Sequence, residues 1–255
     1  MKSNNLQTIY VMWLREMKRF LRAKSRLIGT LAMPFFFLLA MGFGLRPSFN
    51  LPGLNDTDYL DFLVPGIIGM TMLFSSTFAG LSVLWDREFG FLKEIMITPA
   101  SRLAIVLGRI AGGITTALIQ GILILILSLF MGFKILSPSG LVLAFIFMIL
   151  IGIGFIGFGL TIASVIRDTQ GFSLIMQFII FPTFLLSGTF FPIENLPVWL
   201  RPVSYINPLT YGVDGLRASL IGFSQFSPVL DLSLLLIFSL AMVILGSWLF
   251  SRTEV

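Results

Sequence analysis

Histidine and cysteine are missing from this chain altogether. Without thiols there are no disulfides and no thiolate chemistry, and without imidazole the usual zinc sites and haem ligation by His are excluded as well. A second absence is more informative. Six long apolar stretches, 27–45, 62–85, 110–133, 135–166, 171–193 and 232–251, contain no Asp, Glu, Lys or Arg. Ion-coupled transporters and proton pumps keep ionisable groups inside their spans, so any work this chain performs draws its energy from elsewhere. Paired carboxylates, a Ser–Lys pair or metal ligands at membrane depth, which an intramembrane enzyme needs, are lacking too. No G-x-x-x-x-G-K-[ST] phosphate loop occurs, and no cytoplasmic segment is long enough to hold an ATPase fold. No cleavable signal peptide is expected, because the first apolar run begins only at Leu27, after a long charged segment.

What is present is apolar length. About 20 residues at ~1.5 Å rise cross a hydrocarbon core of ~30 Å, and most of the six runs match that length. The chain is 56% hydrophobic, with a mean hydropathy of +0.98 and only 11% charged residues. The expected fold is an all-α polytopic membrane protein with six transmembrane helices and both termini on one side. Thirteen of the 17 Lys and Arg residues fall on the side of the termini, Arg109 and Arg15 among them; only Arg46, Lys134, Arg201 and Arg217 fall opposite. The positive-inside rule then places both termini in the cytoplasm. The net charge of +5 is a topology signal, and no segment could carry the basic face that nucleic acid requires.

Three segments outside the runs carry pattern. Over residues 1–26, Leu6, Tyr10, Trp13, Met17, Phe20 and Leu21 share one helical side, while Arg15, Lys18, Arg19, Arg22 and Arg26 share the other. This predicts an amphipathic interfacial helix with its basic face toward anionic lipid. Residues 86–102 begin charged and then place Phe89, Leu92, Ile95 and Met96 at helical spacing before Pro99, which predicts a short helix lying under the membrane or docked in a partner's groove. The outer segment 187–228 holds Pro192, Pro197, Pro202 and Pro208 among Trp and Tyr residues. Asn207-Pro208 reads as a helix start and Gly222 as its end, after Leu220. Short extracellular or re-entrant helices capping a pathway are expected there.

Arg87-Glu88-Phe89-Gly90 through Thr98-Pro99-Ala100-Ser101-Arg102, together with Ile206-Asn207-Pro208-Leu209-Thr210-Tyr211-Gly212 and Arg217, carry a resemblance to the membrane (permease) subunit of type-2 ATP-binding-cassette (ABC) exporters. The likeness covers essentially the whole chain. It implies one transmembrane domain over 1–255, with segment 86–102 as a coupling helix seated in a separate ABC ATPase subunit. It also implies Glu88, Gly90, Glu94 and Arg102 at that joint, and Asn207, Pro208 and Tyr211 in the outer cap. No cofactor is expected on this chain; ATP and Mg belong to the ATPase partner. A second permease copy or a paralogue completes the pathway, in the inner membrane of a prokaryotic cell.

Along the second run, Thr71, Ser75, Phe78 and Ser82 recur on one helix face, and the fifth run offers Gln177, Thr183 and Ser187. As a set these are expected to line the pathway, although each alone is explained by bonding between helices. Gly152-Ile-Gly-Phe-Ile-Gly157 matches a dinucleotide pattern but sits inside an apolar run, so close helix packing is expected instead. Gly108–Gly112 is a second such contact, with a subunit interface as one option. Asn55-Asp-Thr57 formally matches a glycosylation sequon. The expected function is a non-catalytic exporter permease with hydrophobic or amphipathic cargo, the alternative being a secondary transporter or channel not powered by ATP.

Overall fold

The structure is a computed structural model that describes residues 5–44, 58–90, 94–95, 100–166 and 168–252. Among these residues the regular elements are all helical. They are α1 (Asn5–Arg22), α2 (Lys24–Gly44), α3 (Tyr59–Glu88), α4 (Arg102–Phe130), α5 (Pro138–Val165), α6 (Thr169–Ile175), a π turn (Met176–Ile180), α7 (Phe181–Leu185), a 3₁₀ turn (Ile193–Asn195), α8 (Arg201–Ile206), α9 (Pro208–Ile221) and α10 (Pro228–Arg252). Four of them, α3, α4, α5 and α10, are long and apolar enough to cross a bilayer; Ile28–Gly44 and Gln170–Leu185 are shorter apolar helices. The polytopic helical architecture is therefore observed. The sequon at 55–57 lies outside the described residues.

Side chains at the ends explain where the helices start and stop. Ser101 accepts a hydrogen bond from the Ala104 amide at the head of α4, and Ser137 accepts one from Gly140 at the head of α5, where Pro138 fills the first turn. Helix α4 begins at Arg102, ahead of the apolar run that starts at residue 110, and Arg109 within it pairs with an acid inside the protein. The fifth run departs from a single spanning helix. Pro182 has no N–H, and its ring crowds the carbonyl four residues back; the ladder widens into the π turn just before it. The helix then stops at Leu185, and Gly188 turns the chain at φ +76°.

Helix α3 is the centre of the bundle, packed on α2, α4, α5 and α9. Its apolar window is 83% buried, against 22% for α10, which presents Leu236, Ile237, Leu240 and Ile244 outward. Glycines set the closest crossings. A Cβ on Gly80 would lie 2.5 Å from the carbonyl carbon of Gly159, so α3 and α5 touch backbone to backbone. Gly154 meets the Phe238 ring and Gly157 meets the α10 backbone at Met242, so stretch 152–157 is a helix contact. Gly108 and Gly112 receive Met12 and Glu16 of α1 from the same chain. Substituting Gly80 with Val forces these backbones apart and is expected to cost about 1–3 kcal/mol, read as a lowered melting temperature in detergent. Gly44, which has no described atom within 4 Å of its Cβ position, should tolerate Ala.

Candidate functional site

At the end of the bundle that carries the termini, α1 lies across α4. It buries Met12, Glu16 and Met17, and Trp13 Nε1 donates to Thr115 Oγ1 at 3.0 Å. Leu6, Tyr10, Val11 and Leu21 stay exposed. The helix thus has a protein face as well as an apolar outer stripe, which differs from the expected division between apolar and basic sides. Arg15 does not point at lipid: its Nη2 and Nη1 form a fork on Asp86, at 2.6 and 3.1 Å. Arg109, 5% exposed, pairs through Nη2 with Asp86 Oδ2 at 2.7 Å. Beside them Arg19 pairs with the buried Glu16 at 2.6 Å. One carboxylate between two guanidiniums compensates charges that would be costly to bury alone. Arg109, counted as a cytoplasmic loop charge in the topology argument, is in fact an interior residue.

Asp86 also sits at the root of the segment expected to couple to a partner. Residues 86–88 are the last turn of α3, so no separate helix begins at Asp86; the chain leaves α3 at Phe89 and turns at Gly90, φ +73°. Glu88, Phe89, Gly90 and Glu94 are exposed, while Ile95 packs back into the core. Residues 91–93 and 96–99, which include Leu92, Met96 and Thr98-Pro99, lie outside the described residues. Arg102 opens α4 and donates to the Ser251 carbonyl at the end of α10.

The polar positions of the second run split. Thr71, Ser75 and Phe78 line a cavity of about 240 Å³ bounded by α2, α3 and α4, together with Gly29, Met33, Phe74 and Gln120. Ser82 is buried and does not line that cavity. The fifth-run residues are elsewhere. Gln177 is exposed on the π turn, Thr183 donates to the Ile179 carbonyl, and Ser187 is buried against Phe184 and Thr189. Gln120, which donates to Ser75 Oγ at 2.9 Å, was not singled out from sequence. The signal was there: it is the only amide side chain in the run 110–133.

At the opposite end, Asn207 caps α9 by accepting from the Leu209 amide and donates to the Thr183 carbonyl at 2.6 Å, tying α9 to α7. Pro208 is the first residue of α9, Gly222 ends it in the left-handed conformation after Ile221, and Tyr211 donates to the Tyr205 carbonyl. Arg217 was counted as an outer-loop charge. It is fully buried, stacks 3.7 Å above the Phe62 ring, and donates to the carbonyls of Phe62 and Gly188. Asp214 accepts from the Gln225 and Phe226 amides, holding α9 to the start of α10, where the buried Asp231 adjoins it.

The helical bundle thus carries α1 as a latch across α4 at one end, an exposed turn after α3, and short helices at the other end. The ABC-2 type transporter family model matches residues 7–221. The chain belongs to that family. It is similar to a putative transport permease, ycf38, of Cyanophora paradoxa, at 28% identity over 83% of this chain and 73% of the relative. It is also similar to the inner membrane transport permease YadH of Escherichia coli, at 25% over 90% of this chain and 89% of the relative. The probable multidrug ABC transporter permease YbhR of Escherichia coli is 31% identical over 62% of this chain, a match spanning 43% of YbhR. As an ABC-2 family member, the chain is a membrane-embedded transport permease of an ABC transporter. Removing the acid at its latch strands a buried cation. Asp86→Ala is expected to cost about 3–5 kcal/mol, seen as a lowered melting temperature, and Asp86→Ala with Arg109→Met should recover most of that loss.

Proposed function

We propose that this permease is the pathway-forming subunit of an ATP-driven exporter, pairing with a second copy or a paralogue and with separate ABC ATPase subunits. In this reading α2 and the broken α6–α7 serve as the first and fifth of six spans, so that both termini share one side. The excess of Lys and Arg on that side supports the cytoplasm of a prokaryotic cell, with the 187–228 segment on the outer face. The observation that carries the reading is the exposed turn Glu88-Phe89-Gly90 with Glu94, rooted in Asp86, which α1 and α4 hold through Arg15 and Arg109. A push delivered there by ATPase closure reaches three helices at once. Glu88 and Glu94 supply charge for a basic groove on the partner, and Gly90 allows the turn. Arg102 supports the joint from the side, through the end of α10. Thr71, Ser75 and Phe78 of α3, with Gln177, Thr183 and Ser187 of the fifth run, contribute to a route for hydrophobic or amphipathic cargo, with Asn207, Pro208 and Tyr211 in the lid over it. YbhR's description as a multidrug permease agrees with such cargo.

Purification of the tagged protein from its native membrane in mild detergent tests this. An ABC ATPase is expected in near-equal amount, with loss of most of it in the Glu88→Lys/Glu94→Lys variant while the melting temperature holds. Recovery of the permease without any ATPase, under conditions that keep other membrane complexes intact, points to a channel or secondary transporter and sinks the powered-exporter reading.

A further inference from the structure

The cavity between α2, α3 and α4 holds a polar atom without a partner. Gln120 is 4% exposed, and its Nε2 is taken by Ser75. Its Oε1 is buried with no hydrogen-bond donor among the described residues, and the side chain lines the cavity wall. A buried acceptor left bare is costly, so the position favours an occupant that supplies a donor. The other polar groups of the wall are already engaged: Thr71 Oγ1 donates to the Ile67 carbonyl, and Thr30 has its own partner. Exchanging the two ends of the amide would leave Nε2 facing the cavity instead; a hydroxyl, both donor and acceptor, satisfies either arrangement.

The rest of the wall is apolar and adaptable: Met33, Pro34, Met70, Phe74 and Phe78. Thioethers and rings accommodate flat apolar bodies of varied outline. About 240 Å³ exceeds the ~150 Å³ that admits benzene and falls below the ~300 Å³ where drug-sized sites begin. Two of the lining residues on α2 reach the surface, Gly29 being exposed and Met33 40% exposed. Beyond Ser75 and Gln120, a small chamber of about 30 Å³ continues to Glu16 and Arg19 of α1, where Glu16 Oε1 also lacks a donor.

We infer that this cavity binds a small uncharged amphiphile, a body of one or two rings carrying a hydroxyl, with the Gln120 side-chain amide as its hydrogen-bond partner. The site rests on the exporter reading only for calling its occupant cargo; binding itself needs no ATPase.

The test uses the full chain in lipid nanodiscs, with 1-naphthol and 1-methylnaphthalene as probes, measured by equilibrium dialysis against empty nanodiscs. The expected result is saturable 1-naphthol binding above that of empty discs, with 1-methylnaphthalene about tenfold weaker, a ratio equal to one hydrogen bond of ~1.4 kcal/mol. Gln120→Leu should bring 1-naphthol down to the 1-methylnaphthalene level. Gly29→Phe, at a position on the cavity wall where an added Cβ meets no described atom within 4 Å, should fill the cavity and abolish saturable binding of both. Absence of saturable binding to the native chain, or 1-naphthol binding indifferent to both substitutions, overturns the inference. Co-purification of an ATPase with the native chain keeps the two readings separable. The partner retained with no 1-naphthol site refutes the site alone; binding with no partner refutes the exporter alone.

Discussion

A charge in an apolar interior must carry its counter-charge with it, and Asp86 is where this structure meets that demand. It lies in the last turn of the central helix and is shared by Arg15 of α1 and Arg109 of α4. Two guanidiniums brought this close repel each other, so the acid between them is what permits Arg109 to sit inside and α1 to lie across α4. The exposed turn that follows α3 inherits its position from the same contact. Pairing of this kind adds little net stability over a well-packed apolar core, but it specifies which helices meet and at what height.

The opposite end meets the same demand differently. Arg217 has no carboxylate in direct contact among the described residues; it is held by two backbone carbonyls and an aromatic face. Those carbonyls belong to Phe62 in the first turn of α3 and Gly188 just after α7. The buried cation thus ties the head of α3 to the turn that follows α7. Asn207 performs a related service, capping its own helix while donating to a carbonyl of α7. The short helices at this end are held by side chains that reach backbone, so they cover the bundle without needing a long apolar face.

Between the two ends, backbone contact does the packing. Gly80 on Gly159, and Gly157 on Met242, bring α3, α5 and α10 close enough for dispersion and weak backbone contacts to replace the hydrophobic drive that lipid removes. Where α2 meets α3 and α4 there is no such glycine-on-glycine contact, and the cavity beside Gln120 is what remains. Flexible Met and Phe side chains line the place that packing leaves unfilled.

Apolar runs without charge determined the helical membrane architecture, because a bilayer tolerates little else over that length. Ser, Asn, Pro and Gly at the boundaries determined several helix ends, because capping chemistry acts within a few residues: Asn207-Pro208 and Gly222 were readable one by one. The family likeness was visible in two loop motifs for the same local reason. Tertiary structure alone decided which polar residues face one another. Arg15, Arg109 and Arg217 read as surface charges because a single chain position does not reveal its partner across the bundle. The fifth run read as a continuous span because its uncharged length hid the cost of Pro182. Thr71, Ser75 and Phe78 fell on one face by spacing, but that their face opens on Gln120 of another helix follows only from how α3 and α4 pack. Spacing along one helix fixes direction; the distance between helices is set by the side chains of both.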